Sequence, residues 1–298
     1  MSAFADIPFE KYHGTGNDFL VIDAETYVPD RRGLAARECN REAGVGADGV
    51  LYLALEDQYS PPRVIMTLVQ PDGGTAPMCG NGARVAGQWA MERTGSDEVM
   101  IDTQSGTRHA AREGDRIAVE MGVPTFQPRG IPATAEGPLL EIEIAGLEVS
   151  VVNTGVPHAV AFVENVPDEY VDEDALEAGV DRLDAVDLDA VAKPVRHADI
   201  FPLGTNVVLA SANDEGGFDQ RTFERGVEGE TDACGTGAVA IAAVARRLGM
   251  VEADEPVPIS PIGGDLEITF DGERATLIGP VVHEFDGTVK STHFSFEP

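Results

Sequence analysis

The sequence has 298 residues, of which 43% are hydrophobic and 6% aromatic, a composition typical of a folded protein with mixed α and β structure. Its 52 acidic and 21 basic residues give a formal net charge of −31, which argues against binding to nucleic acid or to anionic membranes. No apolar run approaches the roughly 18 residues that a membrane-spanning helix needs.

The acidic residues are spread along the chain instead of forming blocks, and only Lys11, Lys193 and Lys290 are lysines. This pattern favours a folded protein from a high-salt cytoplasm, where salt screens the self-repulsion. An ordinary acidic protein is the alternative. The N-terminus has no basic segment followed by an apolar one, and three cysteines do not form a disulfide framework, so we expect a cytoplasmic protein.

The first part of the chain alternates strands with polar loops. Short strands are predicted around Phe9 and at 19–22, 50–55 and 64–69. The glycine-bracketed segment 13–18 is either a plain turn or a binding loop. A helix is predicted over 31–42, and its Cys39, which lacks glycine neighbours, is expected to be a buried apolar residue.

Cys79 is followed by Gly80, Asn81 and Gly82 and then by a run with helical character that ends near residues 94–95. Glycines followed by alanines are typical of a loop that enters a helix. The Cys79 sulfur is therefore expected at a helix N-terminus, where free backbone N–H groups and the helix dipole favour negative charge. Such a position lowers the pKa of a thiol and can also bind a carboxylate.

The second half repeats this order of predicted strands, glycine loop, cysteine and helix. A hairpin is predicted over 139–152, and the acidic segment 164–189 is predicted to be a solvated helical face. Cys234 then precedes Gly235, Thr236, Gly237 and another alanine-rich helix, and short strands follow, the last two at 281–285 and 289–296. The repeated Cys-Gly-x-Gly-Ala indicates an internal duplication.

Two matching thiols suggest a reaction with two matching ends, such as inversion of a carbon stereocentre. One thiolate would remove a proton and the other thiol would return one from the opposite face. Backbone N–H groups after each cysteine could stabilise the developing charge on one carboxylate. Pyridoxal phosphate chemistry needs a Schiff-base lysine, and none of the three lysines has such a context. We therefore expect neither a cofactor nor a metal.

Five strings, HGTGNDF, GVGADG, MCGNGAR, ERGVEGETDACGTGA and GPVVHEFDG, occur in order between residues 11 and 287. They closely resemble the motifs of diaminopimelate epimerases. The resemblance implies an α/β (α+β) fold of two pseudo-symmetric halves, each a mixed sheet curled around a central helix, with the active site in the cleft between them. We predict an N-terminal half at 1–124, completed by a C-terminal strand at 284–298, and a C-terminal half at 125–283.

The resemblance also implies the activity and its residues. The reaction would interconvert LL- and meso-diaminopimelate in lysine biosynthesis without a cofactor, with Cys79 and Cys234 as base and acid. Two pairs would bind the reacting carboxylate: Gly80 and Asn81, and Gly235 and Thr236. Asn17, Gln70, Asn206 and Arg225 would contact the rest of the substrate, and His158 and Glu224 would lie beside the reacting amino group.

Three positions differ from the usual family pattern at the distal end of the substrate: Gly49, Gln70 and Val156. Each hydrogen bond lost there costs roughly 1–3 kcal/mol. A racemase or epimerase of another amino acid is therefore an alternative. Two further alternatives are a redox protein with a reversible disulfide and a non-catalytic protein that binds anions. The expected partner is a small-molecule amino-acid substrate. A homodimer remains open, because the sequence does not define the oligomeric state.

Overall fold

The computed structural model describes residues 6–291. The chain divides into two compact units. The first unit consists of Met1–Val119 together with Pro280–Pro298, and the second consists of Glu120–Gly279. Among the helices of the described residues, none has the length and apolar character that crossing a membrane requires.

The first unit is a mixed sheet with one helix on each side. Its strands are β1 (Asp6–Gly14), β2 (Asn17–Asp23), β3 (Gly49–Glu56), β4 (Arg63–Val69), β5 (Thr75–Ala76), β6 (Glu98–Thr103), β7 (Gly106–Glu113), β8 (Arg116–Gly122) and β18 (Val282–Lys290). The last three residues of β8 already belong to the second unit. Its helices are α1 (Arg31–Glu38) and α2 (Gly80–Thr94). Helix α2 is buried along most of its length and packs against β1, β3, β4, β6 and β7.

The strands of the first unit pair in the order β18-β1-β2-β3-β4-β6-β7-β8. The pairs β2·β3 and β4·β6 are parallel, and the others are antiparallel. Short β5 pairs with the end of β4, immediately before α2. Helix α1 covers the other face, where Cys39 is buried as predicted, together with Leu34 and Leu20.

The second unit contains strands β9 (Ile142–Ile144), β10 (Leu147–Asn153), β11 (Pro157–Phe162), β12 (Asn206–Ala212), β13 (Phe218–Glu224), β14 (Gly229–Thr231), β15 (Val257–Pro261), β16 (Leu266–Asp271) and β17 (Arg274–Gly279). Its helices are α3 (Glu173–Glu177), α4 (Leu188–Arg196) and α5 (Gly235–Leu248). Helix α5 is buried and packs against β10, β11, β12, β13, β15, β16 and β17.

The strand pairing of the second unit repeats that of the first. The order is β9-β10-β11-β12-β13-β15-β16-β17, the parallel pairs are β11·β12 and β13·β15, and β14 pairs with the end of β13. A helix follows the short strand in both units, and a cysteine precedes each helix. The predicted fold of two pseudo-symmetric halves is thus confirmed.

The prediction of a solvated helical face over 164–189 is wrong. The segment forms two 3₁₀ turns and the five-residue α3, and Leu183 is buried in the core of the second unit. Arginine side chains satisfy backbone carbonyls that a helix would bond internally. Arg221 Nη1 donates to the Leu183 and Val186 oxygens at 2.8 and 2.9 Å, and Arg182 Nη2 donates to the Val166 oxygen at 2.8 Å.

The two strands predicted at 281–285 and 289–296 are instead one strand, β18, as far as Lys290. Strand β1 pairs with β18 over residues 6–13, and the register shifts by one residue between the pairs Lys11–Phe285 and Tyr12–His283. The remainder of the predicted second strand, 292–296, lies outside the described residues.

Candidate active site

Cys79 is the N-cap of α2, as the glycine pattern predicts. Its backbone is extended (φ −143°, ψ 118°), and its sulfur accepts a hydrogen bond from the Gly82 N–H at 3.4 Å. A Cβ on Gly82 would lie 3.6 Å from this sulfur and 3.3 Å from Leu51 Cδ2. The contact with the sulfur would be ordinary and that with Leu51 tight, so glycine at this position lets the first turn of the helix pack closely against Leu51.

Asn17 lies beside Cys79 in a defined orientation. Its side-chain nitrogen donates to the Asp48 carboxylate at 2.6 Å, so its oxygen must face the other way. That oxygen lies 3.4 Å from Asn81 Nδ2 and 3.9 Å from the Cys79 sulfur. The structure thus brings together Asn17, Cys79 and Asn81, three of the predicted site residues.

A cluster of four charged residues, Lys11, Asp18, Arg41 and Asp48, supports Asn17 from behind. Lys11 Nζ contacts Asp18 at 2.6 Å, and Arg41 Nη2 contacts Asp18 at 2.9 Å and Asp48 at 2.8 Å. Burial opposes ionisation of Asp18, but hydrogen bonds from Arg41 and Lys11 outweigh it and lower its pKa. Burial, with the nearby Asp18, raises the pKa of Asp48.

Sequence reasoning missed this cluster as part of the site. A signal was available, because Asp18 belongs to the string HGTGNDF and Asp48 to the string GVGADG. Acidic residues beside glycine loops are natural partners for a substrate-contacting amide.

Cys234 is the N-cap of α5 in the second unit and is only 5% exposed. Its sulfur lies 3.4 Å from the Thr236 hydroxyl, which in turn lies 3.0 Å from His158 Nε2. A Cβ on Gly237 would lie 3.4 Å from the Cys234 sulfur and 2.8 Å from Gln220 Nε2. Glycine three residues after the cysteine makes room here for the Gln220 amide.

His158 is fully buried on β11 and is neutral at physiological pH. Burial, with a further contribution from the positive charge of Arg225, lowers its pKa from 6.5 to about 3. A neutral imidazole carries one proton, so Nε2 either donates to the Thr236 hydroxyl or accepts from it. The chain His158–Thr236–Cys234 therefore links the imidazole to the thiol.

Three more predicted residues meet where β12 begins and β13 ends. The Arg225 N–H donates to Asn206 Oδ1 at 2.8 Å, and the Arg225 guanidinium donates to the Leu203 oxygen at 3.1 Å. Glu224 accepts a hydrogen bond from the Thr231 hydroxyl at 3.1 Å, which ties β13 to the segment that leads into Cys234.

Two supporting residues of the second unit were also missed. Gln220 Nε2 donates to the Cys234 carbonyl at 3.1 Å, and the Thr154 hydroxyl donates to the Thr236 carbonyl at 2.8 Å. Thr154 stands close to His158 in sequence, which is a weak signal. Gln220 lies inside β13 with no motif around it, so only the fold identifies it.

The positions that depart from the family pattern lie in the described residues as well. Gly49 begins β3, and a Cβ there would lie 2.6 Å from Leu68 Cδ1, so the neighbouring strand fills the space of a side chain. Gln70 follows β4. Its backbone N–H donates to the Gly74 oxygen at 2.8 Å, and its carbonyl accepts from the Gly73 N–H at 2.9 Å. By strand register, Gln70 of the first unit corresponds to Glu224 of the second.

Each unit therefore presents a thiol at a helix N-terminus and backbone N–H groups beside it. The first intrahelical hydrogen bonds run from Ala83 to Cys79 and from Ala238 to Cys234. The N–H groups of Gly80 and Asn81, and of Gly235 and Thr236, precede them and have no acceptor within the helix. Such groups can bind a carboxylate and stabilise negative charge.

Comparison with known proteins agrees with this geometry. A family model described as diaminopimelate epimerase matches residues 9–127 and 150–284. The diaminopimelate epimerase of Methanothrix thermoacetophila is 41% identical over 95% of this chain and 96% of its own length. That of Methanocella arvoryzae is 39% identical over 95% and 96%.

The fold is also found in more distant solved structures. A hydroxyproline epimerase from Agrobacterium vitis, with bound trans-4-hydroxy-L-proline, has a TM-score of 0.62 at 18% identity, over 97% of this chain and 94% of its own. At that identity the likeness concerns the fold alone. The identity of the two relatives and the extent of the family match decide the assignment. The chain belongs to the diaminopimelate epimerase family.

Proposed function

We propose that the protein interconverts LL- and meso-diaminopimelate, a step of lysine biosynthesis, by proton transfer between two thiols and without a cofactor. The observation that carries the proposal is the repeated arrangement of Cys79 and Cys234, each the N-cap of a buried helix whose first turn lies beside the thiol. Membership of the family supplies the substrate.

In the proposed reaction one cysteine thiolate takes the proton from the α-carbon, and the electron pair stays on that carbon. The other cysteine thiol then gives its proton to the opposite face, so a new C–H bond forms and a thiolate remains. The roles exchange when the other epimer binds. N–H groups at residues 80–81 and 235–236 hold the carboxylate and stabilise the charge that develops next to it.

The other residues would hold and orient the substrate. Asn17, Asn206 and Arg225 would contact it, and His158 and Glu224 would lie beside the reacting amino group. Hydrogen bonds support these roles: Asp48 orients Asn17, and Asn206 holds the backbone of Arg225. Cys39, Cys79 and Cys234 form no disulfide in the part of the chain that the structure describes, which suits a reducing compartment, so the proposal includes a cytoplasmic location.

A second candidate is epimerisation of another amino acid. It is motivated by the distal-end positions, since Gly49 has no polar side chain and its Cβ space is occupied by Leu68, while Val156 is apolar. Gln70 retains a polar group that could serve a distal amino or carboxylate end.

The test is α-proton exchange in D₂O with LL-diaminopimelate. We expect α-deuterium in the product and a change in isomer ratio. Cys79→Ala and Cys234→Ala should each lose about 10²–10⁴-fold in rate, the usual contribution of one acid–base group. Cys39→Ala is the matched control. This thiol is buried at the C-terminal end of α1 and not at the N-terminus of α2 or α5, and burial raises its pKa to about 12.

Each outcome separates the candidates. No exchange with diaminopimelate but exchange with another amino acid would replace the first candidate by the second. Full activity in both Cys79→Ala and Cys234→Ala would end the two-thiol mechanism.

A further inference from the structure

Arg84, on helix α2, is a buried cation, and no carboxylate pairs with it among residues 6–291. Its side chain is 0% exposed, and Nη2 donates to the Thr15 hydroxyl at 3.0 Å. Among the described residues, Nε and Nη1 have no hydrogen-bond partner, and Arg84 forms no ion pair. A charge removed from water in this way is costly unless an opposite charge compensates it.

The guanidinium lies at the N-terminal end of α2. Helical side chains point towards the N-terminus of their helix, and Arg84 follows Cys79 by five residues. A Cβ on Gly14 would lie 3.0 Å from Arg84 Nη2. Gly14 and Thr15 begin the turn that leads to Asn17, which contacts the Cys79 sulfur. Arg84 thus packs beside the loop that faces Cys79.

Arg84 also holds a strained residue of that loop. Thr15 has φ 53°, a left-handed conformation that is unfavourable for a β-branched side chain. Its hydroxyl accepts from Arg84 and donates to the Gly14 oxygen at 2.6 Å. These two contacts keep the turn, and therefore Asn17, in place.

The second unit has no such charge at the equivalent place. The residue five positions after Cys234 is Val239, which is 0% exposed. The Cys234 thiol instead faces the Thr236 hydroxyl and, through it, the neutral His158. The charged groups nearby, Glu224 and Arg225, are partly exposed and opposite in sign.

We propose that Arg84 is the counter-ion of Cys79, so that Cys79 is the thiolate and Cys234 the thiol in the substrate-free protein. The catalytic meaning of this difference rests on the proposed two-thiol function, but the ionisation itself does not. Arg84 is a positioning residue, because it acts on the reaction through Cys79 and the Thr15 loop.

The remaining groups around Cys79 agree with this assignment on balance. Burial lowers the pKa of Arg84 to about 10, and a negative Cys79 opposes that shift, so the guanidinium stays charged at pH 7. The Gly82 N–H and the helix dipole also favour a thiolate. The Asn17 oxygen opposes it, but this neutral group is 3.9 Å from the sulfur.

The test measures ionisation of each thiol without substrate. The protein is alkylated with iodoacetamide between pH 5 and 10, and the rate at Cys79 and Cys234 is followed separately by peptide mass spectrometry. Exposure changes the plateau rate, whereas the pKa sets the midpoint. We expect the Cys79 midpoint at least about one pH unit below that of Cys234, since a nearby opposite charge shifts a pKa by about 1–3 units.

Variants then identify the cause. Arg84→Met should raise the Cys79 midpoint by about 1–2 pH units and leave that of Cys234 unchanged, while Arg84→Lys should keep most of the wild-type shift. Arg93→Met is the matched control, because Arg93 lies on the same helix but is exposed and pairs with Glu10. Its Cys79 midpoint should equal that of the wild type.

A Cys234 midpoint below that of Cys79 in the wild type would overturn the proposal, as would an unchanged Cys79 midpoint in Arg84→Met. If Arg84→Met does not fold, the order of the Cys79 and Cys234 midpoints in the wild type and the Cys79 midpoint in Arg84→Lys still test the proposal. Failure of the proposed function gives a different result: no exchange of diaminopimelate in D₂O while the order of the two midpoints is retained.

Discussion

The Thr236 hydroxyl offers a sharp test of how the second unit supports its thiol. This hydroxyl lies 3.4 Å from the Cys234 sulfur and 3.0 Å from His158 Nε2, and the residue is only 6% exposed. Thr236→Val removes the hydroxyl while it keeps the shape and a similar helix propensity. Thr236→Ser keeps the hydroxyl and loses only a methyl group.

The expected magnitude follows from the burial of His158. With valine, Nε2 of a fully buried imidazole has no partner, and an unsatisfied buried polar group costs about 1–3 kcal/mol. The serine variant should lose about 0.5–1.5 kcal/mol for the missing methyl group. In activity, loss of a hydrogen bond worth about 1.4–2.8 kcal/mol in the transition state would lower kcat/KM about 10–100-fold.

Urea unfolding measures the first effect, and deuterium exchange at the α-carbon of diaminopimelate measures the second. We expect Thr236→Val to have lower kcat/KM than Thr236→Ser, although valine is closer to threonine in shape. Equal kcat/KM in the two variants would refute the link from His158 through Thr236 to Cys234.

Four further results are expected. Because burial depresses the pKa of His158 to about 3, the unfolded chain binds an extra proton below about pH 6.5, and stability is lost as the pH falls from about 6.5 towards 3. Between pH 6 and 5 the free energy of unfolding in urea should fall by about 1 kcal/mol less for His158→Gln than for the wild type, and equal decreases would contradict this. Asp48→Ala should lower kcat/KM about 10–100-fold by releasing Asn17; an unchanged value would mean that Asn17 needs no such support. Gly49→Gln should lower the free energy of unfolding in urea by about 1–3 kcal/mol through collision with Leu68, and the loss in the double variant with Leu68→Ala should be smaller than the sum of the two single losses; additive losses would contradict this. Finally, Tm should rise between 0.1 and 2 M KCl as salt screens the net charge of −31, and a constant Tm would exclude self-repulsion as a major factor.

Much of the catalytic core was predictable because its signals are local. A cysteine followed by glycines and then alanines predicts a helix N-terminus, and Cys79 and Cys234 are both N-caps. The repeated pentapeptide predicted the duplication, which the identical strand order of the two units confirms. Glycine and helix-former preferences act within a few residues, so they can be recognised in the sequence.

The same local rules failed over 164–189. Leu183 packs into the core from a turn there, and Arg221 and Arg182 bond backbone carbonyls of the segment. Arg221 lies 38 residues from Leu183, and no periodicity within the segment carries that information.

By itself, the sequence determined which two thiols matter, that each begins a helix, and to which family its motifs correspond. Only the tertiary structure decided how each thiol is surrounded. Asp48 orients Asn17 across 31 residues, and His158 reaches Thr236 across 78. Likewise Arg84 meets Thr15 across 69 residues and loses its contact with water. Partners so far apart are brought together by strand register and burial, and the electrostatics of a thiol depend on those partners as much as on its own helix.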